Sequence, residues 1–268
     1  MADALRGADT FRRRFTAACG LLVVAAVVGA AACATIDTDP THVASIAIDT
    51  LPAQAIVAGD SLRDSLGVAR PMHATVYNIE GAPLPSAKLR FFTPDSGARV
   101  DSVTGYVAGD TARTNPVRLI ASSGSLQAAP DTVYIVPSPD TVIAINATDS
   151  LLYSLVDTTA NVSNPLQLQL LHRVPVSTPI PVRSWFVSYQ ITYPTDTLLA
   201  QLVDRNGILR STVDTTAVDG TSSRRVRFRP LSLTSVNDSV IVIATVRYRG
   251  GLVAGAPIRF VLRVKPQT

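Results

Sequence analysis

The stretch Asp238-Ser-Val-Ile-Val-Ile-Ala-Thr-Val-Arg-Tyr248 decides the fold class of this chain. Every second residue from Val240 onward is apolar, which is the period of a β-strand with one face turned to a core. The intervening positions begin with Ile241 and Ile243 and become polar towards the end. The segment therefore predicts a central strand that starts covered on both faces, as happens where two sheets pack together.

The neighbouring segment Ser222–Arg229 alternates more cleanly between apolar and charged residues. Val226 and Phe228 are expected to face the core, and a row of arginines is expected to face solvent. The row consists of Arg225, Arg227 and Arg229. It could bind an anionic polysaccharide or the phosphates of lipopolysaccharide. A solvated strand face produces the same pattern without a ligand, so both interpretations stay open.

The rest of the chain has the same texture. Short runs rich in Val, Ile, Thr and Leu are separated by Pro, Gly, Asp and Asn, and no segment after residue 33 keeps a helical period over three turns. The sequence thus predicts an all-β protein built from sandwiches.

The chain also repeats itself. Ser45–Asp49 resembles Val142–Asn146, and Asp131–Pro137 resembles Arg259–Pro266 as a closing strand followed by proline. Shorter matches lie between these in the same order, among them Gly59–Leu66 with Thr148–Leu155. The repeat predicts two β-sandwich domains, at 42–137 and 140–268, joined by a stiff proline-containing linker.

The repeated pattern resembles tandem bacterial Ig-like domains of the group 2 or invasin kind. The family motifs are matched in the first copy by an opening strand, a Gly-Asp turn, a hairpin and a late turn. These are Val43–Asp49, Gly59–Leu62, Asn78–Leu84 and Ala121–Gly124. The second copy matches less well, because its hairpin at His172–Pro181 lacks the glycine. The resemblance implies immunoglobulin-like sandwiches, and its motifs specify turns rather than a ligand.

The start of the chain carries a different pattern, which ends at Cys33. Four arginines (Arg6, Arg12, Arg13 and Arg14) precede the uncharged run Thr16–Ala32 and then the cysteine. This order resembles a bacterial lipoprotein signal peptide, with residues 1–32 removed on processing. The resemblance implies that Cys33 is lipidated on its thiol and its amine, and two or more chains anchor a protein stably.

Two other interpretations of this start remain. The run of about 17 residues is at the short limit for a membrane-spanning helix, so the segment could be retained as an anchor. Cleavage could instead follow an ordinary A-x-A site, since Ala30 stands where lipoproteins usually have leucine. In the lipoprotein interpretation, residues 33–41 form a tether. Ala34 follows the cysteine where aspartate would favour the inner membrane, which indicates the outer membrane, on its periplasmic face or at the cell surface.

Charge and cysteine content limit the partners further. Of 24 basic and 20 acidic residues, the leader holds four arginines and two aspartates, so the mature chain has a charge of only +2. Nucleic acid is therefore not an expected partner. Cys19 lies in the leader, which leaves Cys33 without a disulfide partner after processing.

Catalytic and metal-binding patterns are sparse. The three histidines, His42, His73 and His172, have no zinc-pair spacing, and no G-x-S-x-G turn accompanies them. No cofactor is expected, although turn aspartates could ligate calcium, and the places to look are Asp140, Asp214 and Asp219. The sequence predicts a protein that is not an enzyme.

The aromatic residues suggest one further site. Trp185 and Tyr189 lie on one predicted strand and could stack on sugar rings if exposed, or fill a sandwich core if buried. The sequence as a whole predicts a lipid-anchored envelope protein that presents Ig-like domains for adhesion, scaffolding or protein–protein interaction. A carbohydrate-binding accessory lipoprotein and a subunit of a larger envelope complex are the alternatives.

Overall fold

A computed structural model describes residues 42–157, 161–196, 198–229 and 239–267. The predicted leader, Cys33 and the tether lie outside these residues. Every helix or strand in the described part of the chain is a β-strand, which confirms the all-β class. Accordingly, the described residues contain no helix of the length and hydropathy needed to cross a bilayer.

Nine strands form the first sandwich. They are β1 (Ser45–Ile48), β2 (Ala55–Val57), β3 (Ala74–Tyr77), β4 (Arg90–Phe92), β5 (Ala98–Val100), β6 (Val107–Gly109), β7 (Val117–Ser123), β8 (Leu126–Gln127) and β9 (Asp131–Val136). The main sheet has the order β2-β9-β7-β4, with β8 paired to β7, and β1-β3 and β5-β6 form two smaller sheets.

Twelve strands belong to the described part of the second sandwich. They are β10 (Thr141–Ala144), β11 (Thr148–Tyr153), β12 (Leu166–His172), β13 (Ile180–Pro181), β14 (Phe186–Tyr193), β15 (Ala200–Val203), β16 (Val213–Thr215), β17 (Thr221–Phe228), β18 (Ser239–Thr245), β19 (Arg247–Tyr248), β20 (Gly251–Leu252) and β21 (Ile258–Pro266). One sheet has the order β10-β12-β17-β15, with β13 paired to β12, and the other β11-β21-β18-β14-β16. β19 and β20 form a separate hairpin.

The two sandwiches share one strand arrangement. In each, the first strand pairs antiparallel with a later one, as in Ile46 opposite Val76 and Val142 opposite Leu170. In each, a second strand then pairs parallel with the closing strand, as β2 does with β9 and β11 with β21. This common order is that of tandem Ig-like sandwiches, and the fold class predicted from the sequence is confirmed.

The cores follow the alternation of the strands. In β18, Val240 and Val242 are fully buried, as the opening stretch predicts, and Phe260 of β21 packs in the same cluster. Leu119 and Val133 hold the corresponding place in the first sandwich. Each fully buried side chain of this size contributes roughly 1.5–3 kcal/mol.

Two glycines of the second sandwich provide a matched test of backbone packing. Gly255 and Gly250 both have positive φ, +89° and +80°. A Cβ on Gly255 would lie 2.2 Å from the carbonyl oxygen of Val142, whereas a Cβ on Gly250 would meet nothing within 4 Å. The Val142 strand cannot shift freely, because its N–H donates to the Ala254 carbonyl at 2.9 Å.

We expect both Gly255→Ala and Gly250→Ala to lower the free energy of unfolding by about 1–2 kcal/mol, because alanine is strained in the left-handed conformation. For Gly255→Ala the free energy of unfolding should fall by about 1–3 kcal/mol more, because the added methyl group overlaps the backbone of β10. Urea unfolding followed by Trp185 fluorescence measures the difference. Equal losses in the two variants would show that the β10 contact is not held rigidly.

Candidate functional site

The two sandwiches are joined by an apolar contact along β2 and β9. Ala55, Val57 and Val136 are at most 4% exposed and belong to the hydrophobic cluster of the second sandwich. Phe186 of β14 packs in return against the cluster of the first. Residues 43–268 accordingly form one compact unit by backbone contacts. The face of β2 and β9 that a lone sandwich would leave in water is therefore covered.

An ion pair between a buried carboxylate and a partly exposed arginine crosses the same junction. The Asp60 carboxylate, whose side chain is only 5% exposed, accepts two hydrogen bonds from Arg63, at 2.9 and 2.8 Å. It also accepts one at 2.9 Å from Nε of Arg249, which belongs to the second sandwich. A carboxylate held by two guanidinium groups fixes the approach of the loops that carry them. We name Asp60, Arg63 and Arg249 the junction clamp.

The clamp stays ionised under ordinary conditions. Burial by itself would raise the pKa of Asp60, but hydrogen bonds from Arg63, Arg249 and the Ser61 N–H outweigh it and hold that pKa well below 3.8. A carboxylate with a lowered pKa stabilises the folded state above its ordinary pKa and loses this effect as pH falls through the lowered value. The junction should therefore remain intact in mild acid.

Trp185 lies beside the clamp and not on an exposed sugar-binding face. Its side chain is half-buried, and Nε1 donates to the carbonyl of Arg247 at 3.2 Å. The ring packs edge-on against Tyr248, with 5.9 Å between ring centroids. Trp185 thus braces the β19–β20 hairpin that carries Arg249.

A second contact crosses the junction at another point. The guanidinium of Arg183 lies 4.0 Å from the ring centroid of Tyr134 on β9. The same group donates to the carbonyls of Arg113 and Thr114 in the first sandwich. A cation stacked on an aromatic face contributes about 0.5–1 kcal/mol at an exposed site. Two separated polar contacts therefore flank the apolar one.

The linker brings together a serine, an aspartate and a histidine. Nδ1 of His172 lies 2.5 Å from Oδ2 of Asp140 and 3.2 Å from Oγ of Ser138. Ser138 also donates directly to Asp140 at 2.8 Å. A catalytic triad needs the hydroxyl and the carboxylate on opposite ring nitrogens. Here both contact Nδ1, so the group holds the linker against β12 and cannot relay a proton from Ser138.

Tyr189, the other aromatic candidate, is a core residue at 2% exposure. Its hydroxyl lies 3.0 Å from Oγ of Ser222, which donates to Asp214 at 3.0 Å. Asp214 in turn pairs with Arg224 at 2.9 Å. Burial raises the pKa of Tyr189 far above its ordinary value. The ring cannot stack on a sugar, and Ser222, at 1% exposure, cannot reach a substrate.

The arginine row on β17 is only partly exposed. Arg229 is exposed as expected, but Arg225 and Arg227 are half-buried. Their guanidinium groups donate to the carbonyls of Ser163, at 3.4 Å, and Gly207, at 2.6 Å. Val226 and Phe228 are buried, as the alternation predicts. Arg225 and Arg227 were expected to face solvent and are half-buried instead. The long arginine side chains fold back onto loop carbonyls that sequence alternation does not reveal.

The aspartates considered for calcium are engaged by donors of the protein itself. Asp219 accepts the N–H and hydroxyl of Thr221, at 2.9 and 2.6 Å. Asp140 and Asp214 have the partners described above. Within the described ranges, no three Asp, Glu, His or Cys side chains gather as metal ligands.

An open cleft on the second sandwich is a feature that the sequence did not reveal. It has a volume of about 650 Å³ and lies between β14 and β15, beneath the segment that joins β15 to β16. That segment belongs to the stretch Val203–Ser223, which makes the second copy longer than the first. The extra length was the one available signal.

Solved structures align with most of the chain at low scores. Domains 4–9 of the surface-layer protein SbsC align with a TM-score of 0.29 and 13% identity, over 85% of this chain and 32% of that one. The Yersinia pseudotuberculosis adhesin InvE gives 0.28 and 11%, over 82% and 58%. Invasin, a bacterial integrin-binding protein, gives 0.30 and 14%, over 84% and 40%.

The chain spans about a third of the length of that SbsC structure. No protein-family model matches the chain, and no curated protein matches it. The fold assignment therefore rests on the strand pairing and not on these alignments.

The junction clamp predicts the response to two substitutions. Asp60→Asn removes the charge to which both guanidinium groups donate, and the loss of hydrogen bonds to a charged group should cost about 1.5–3 kcal/mol. Arg249→Gln removes only the arm that crosses the junction and should cost less. In both variants, amide hydrogen exchange should become faster at residues 247–250.

Arg99→Gln, which breaks the exposed pair with Asp110, is the control and should leave exchange in that region unchanged. Unchanged exchange in Asp60→Asn would mean that the apolar contact alone holds the junction.

Proposed function

We propose that this chain is a non-catalytic, lipid-anchored cell-envelope protein that presents two Ig-like domains for adhesion, scaffolding or protein–protein interaction. The lipid is attached at Cys33 and anchors the protein in the outer membrane, and residues 33–41 act as a tether. The tether reaches at most about 30 Å when fully extended, so the first sandwich stays near the lipid surface.

The observation that carries this proposal is the joined pair of sandwiches. Interfaces between domains of one chain usually permit relative motion unless they are large and apolar. Here an apolar face, the junction clamp and the Arg183–Tyr134 contact all oppose such motion. A fixed orientation lets loops of the second sandwich be displayed at a constant angle to the first, and binding residues commonly lie on loops held by a rigid scaffold.

Two alternative functions use the same anchor. A carbohydrate-binding accessory lipoprotein would need exposed aromatic faces, and the burial of Tyr189 counts against that use of the strand. A subunit of a larger envelope complex would use exposed apolar residues, of which Leu198, Ile208 and Leu209 are 60–67% exposed. Pull-down of the protein from solubilised membranes tests the second alternative.

Cys33→Ser is the direct test of the anchor. We expect the wild-type protein to carry the mass of a diacylglyceryl group and an acyl chain on Cys33 and to partition into detergent. Cys33→Ser should lose both properties, whereas Cys19→Ser, in the same leader, should keep them. Intact-mass spectrometry of the mature N-terminus gives the result. An unmodified N-terminus downstream of residue 33 would remove the anchor from the proposal.

Trp185→Ala separates the proposal from the carbohydrate alternative. Because the half-buried Trp185 packs on Tyr248 and donates to Arg247, its truncation should lower the free energy of unfolding by about 1–3 kcal/mol. Glycan-array binding should not depend on it. Loss of glycan binding with unchanged stability would support the carbohydrate-binding function instead.

A further inference from the structure

The second sandwich is open along one edge, because the edge strands of its two sheets do not cover each other there. β15 is the last strand of one sheet. In the other, β16 covers β14 only over Phe186–Ser188. Beyond Ser188, β14 continues to Tyr193 with β18 as its strand partner. A cleft consequently opens at this end, above Tyr189, Ala200 and Leu202, whose side chains are only 2–6% exposed.

The walls of the cleft are largely apolar. Ile191 contributes from β14 as a half-buried wall residue, and Tyr189, Ala200 and Leu202 form a floor that is 2–6% exposed. Leu198 and Val213 lie at the rim, 60% and 39% exposed. The volume of about 650 Å³ falls in the range of roughly 300–1,000 Å³ found for sites that bind small molecules. An apolar chain could therefore leave water by entering the cleft.

One cation lies at the mouth of the cleft. The hairpin that follows β15 closes with a bridge between Val203 and Arg210, which brings Arg210 to the lining. No acidic side chain is among the described residues that line the cleft. Of the nearby carboxylates, Asp196 accepts the Leu198 N–H at 2.8 Å, and Asp204 accepts the Ile208 N–H at 2.7 Å. Within the described structure, Arg210 has no ion-pair partner.

Two hydroxyl groups of the wall already have partners. Oγ of Ser211 donates to the Val213 carbonyl at 2.9 Å and accepts from Arg224 at 3.0 Å. The Tyr189 hydroxyl lies 3.0 Å from Oγ of Ser222. These two hydroxyls are therefore committed within the protein, while Gln190, Gln201, Thr195 and Thr212 add polar side chains to the lining.

We propose that this cleft binds a single-chain amphipathic carboxylate, in the form of a free fatty acid. The alkyl chain lies against Ile191, Leu198 and Val213, and the carboxylate pairs with the guanidinium of Arg210. An apolar groove with one charged group at its mouth matches a ligand with one apolar chain and one opposite charge. A guanidinium also presents two N–H groups in the geometry that a carboxylate accepts.

Photoaffinity labelling of the full chain in phospholipid nanodiscs tests this site. The probe is a fatty acid with a diazirine near the end of its chain, and the adducts are mapped by peptide mass spectrometry. We expect adducts concentrated in 189–202, the strands that form the wall. Free decanoate should compete with the probe, whereas decylamine, with the same chain and a positive charge, should not.

Two variants and one control link the labelling to the cleft. Arg210→Gln removes the charge at an exposed position and should lower labelling of 189–202 about tenfold at limiting probe, as expected for the loss of a charged hydrogen bond. Thr212→Trp places a bulky ring in the cleft and should abolish that labelling, while the Thr212 carbonyl still accepts the Tyr189 N–H. Arg263→Gln, an exposed arginine that does not line the cleft, should label as the wild type does.

The proposal is overturned by any of three results. Adducts spread evenly over the chain would show only partitioning from the bilayer. Unchanged labelling in Arg210→Gln would show that no carboxylate binds there. Competition by decylamine as strong as by decanoate would show a site that selects for chain alone. Circular dichroism of each variant confirms that it is folded.

Discussion

The arrangement of this protein depends on covering the outer face of β2 and β9. Alternation along β2 sends Ile56 into the core of the first sandwich and Ala55 and Val57 the other way, and all three are buried. A free sandwich would expose that second apolar face to water, at a cost of roughly 25 cal/mol per Å². The second sandwich removes this cost. The junction clamp and the Tyr134–Arg183 contact then select one orientation among those that would bury the face.

The covered face also explains where an unusual carboxylate is tolerated. Asp60 follows β2 by three residues, so it lies at the edge of the apolar contact, where its side chain is only 5% exposed. A lone buried carboxylate is strongly unfavourable, and this one is offset by Arg63 from its own sandwich and Arg249 from the other. Because the apolar contact and the ion pair are adjacent, opening the junction would expose the apolar face and remove the Arg249 arm in one step, leaving Asp60 paired with Arg63 alone.

Much of the fold could be predicted from the sequence, because alternation and turn residues act locally. The all-β class, the burial of β18 and the hairpin at His172–Pro181 all follow from patterns a few residues long. The alignment of one pair of repeated segments could not be predicted in this way. Val57 lies opposite Val136, one residue before Pro137, and Leu152 lies opposite Lys265, one residue before Pro266. Val57 and Leu152 are thus equivalent, which displaces the sequence match of Gly59–Leu66 with Thr148–Leu155 by six residues. Short Asp-Ser-Leu runs recur too easily to set register, and pairing with the closing strand sets it instead.

The candidate sites were harder to predict, because they depend on long side chains reaching across loops. Arginine is nearly the only cation in this chain, since lysine occurs just at 88 and 265. The arginines have a structural role, because a guanidinium group can donate two hydrogen bonds to one carboxylate. Arg63 does so to Asp60, and Arg118 does so to Asp95. A lysine at either position would present a single compact charge and lose the paired geometry. Arg210 is one of several arginines without an ion-pair partner in the described structure, and what distinguishes it is its place in the lining of the cleft.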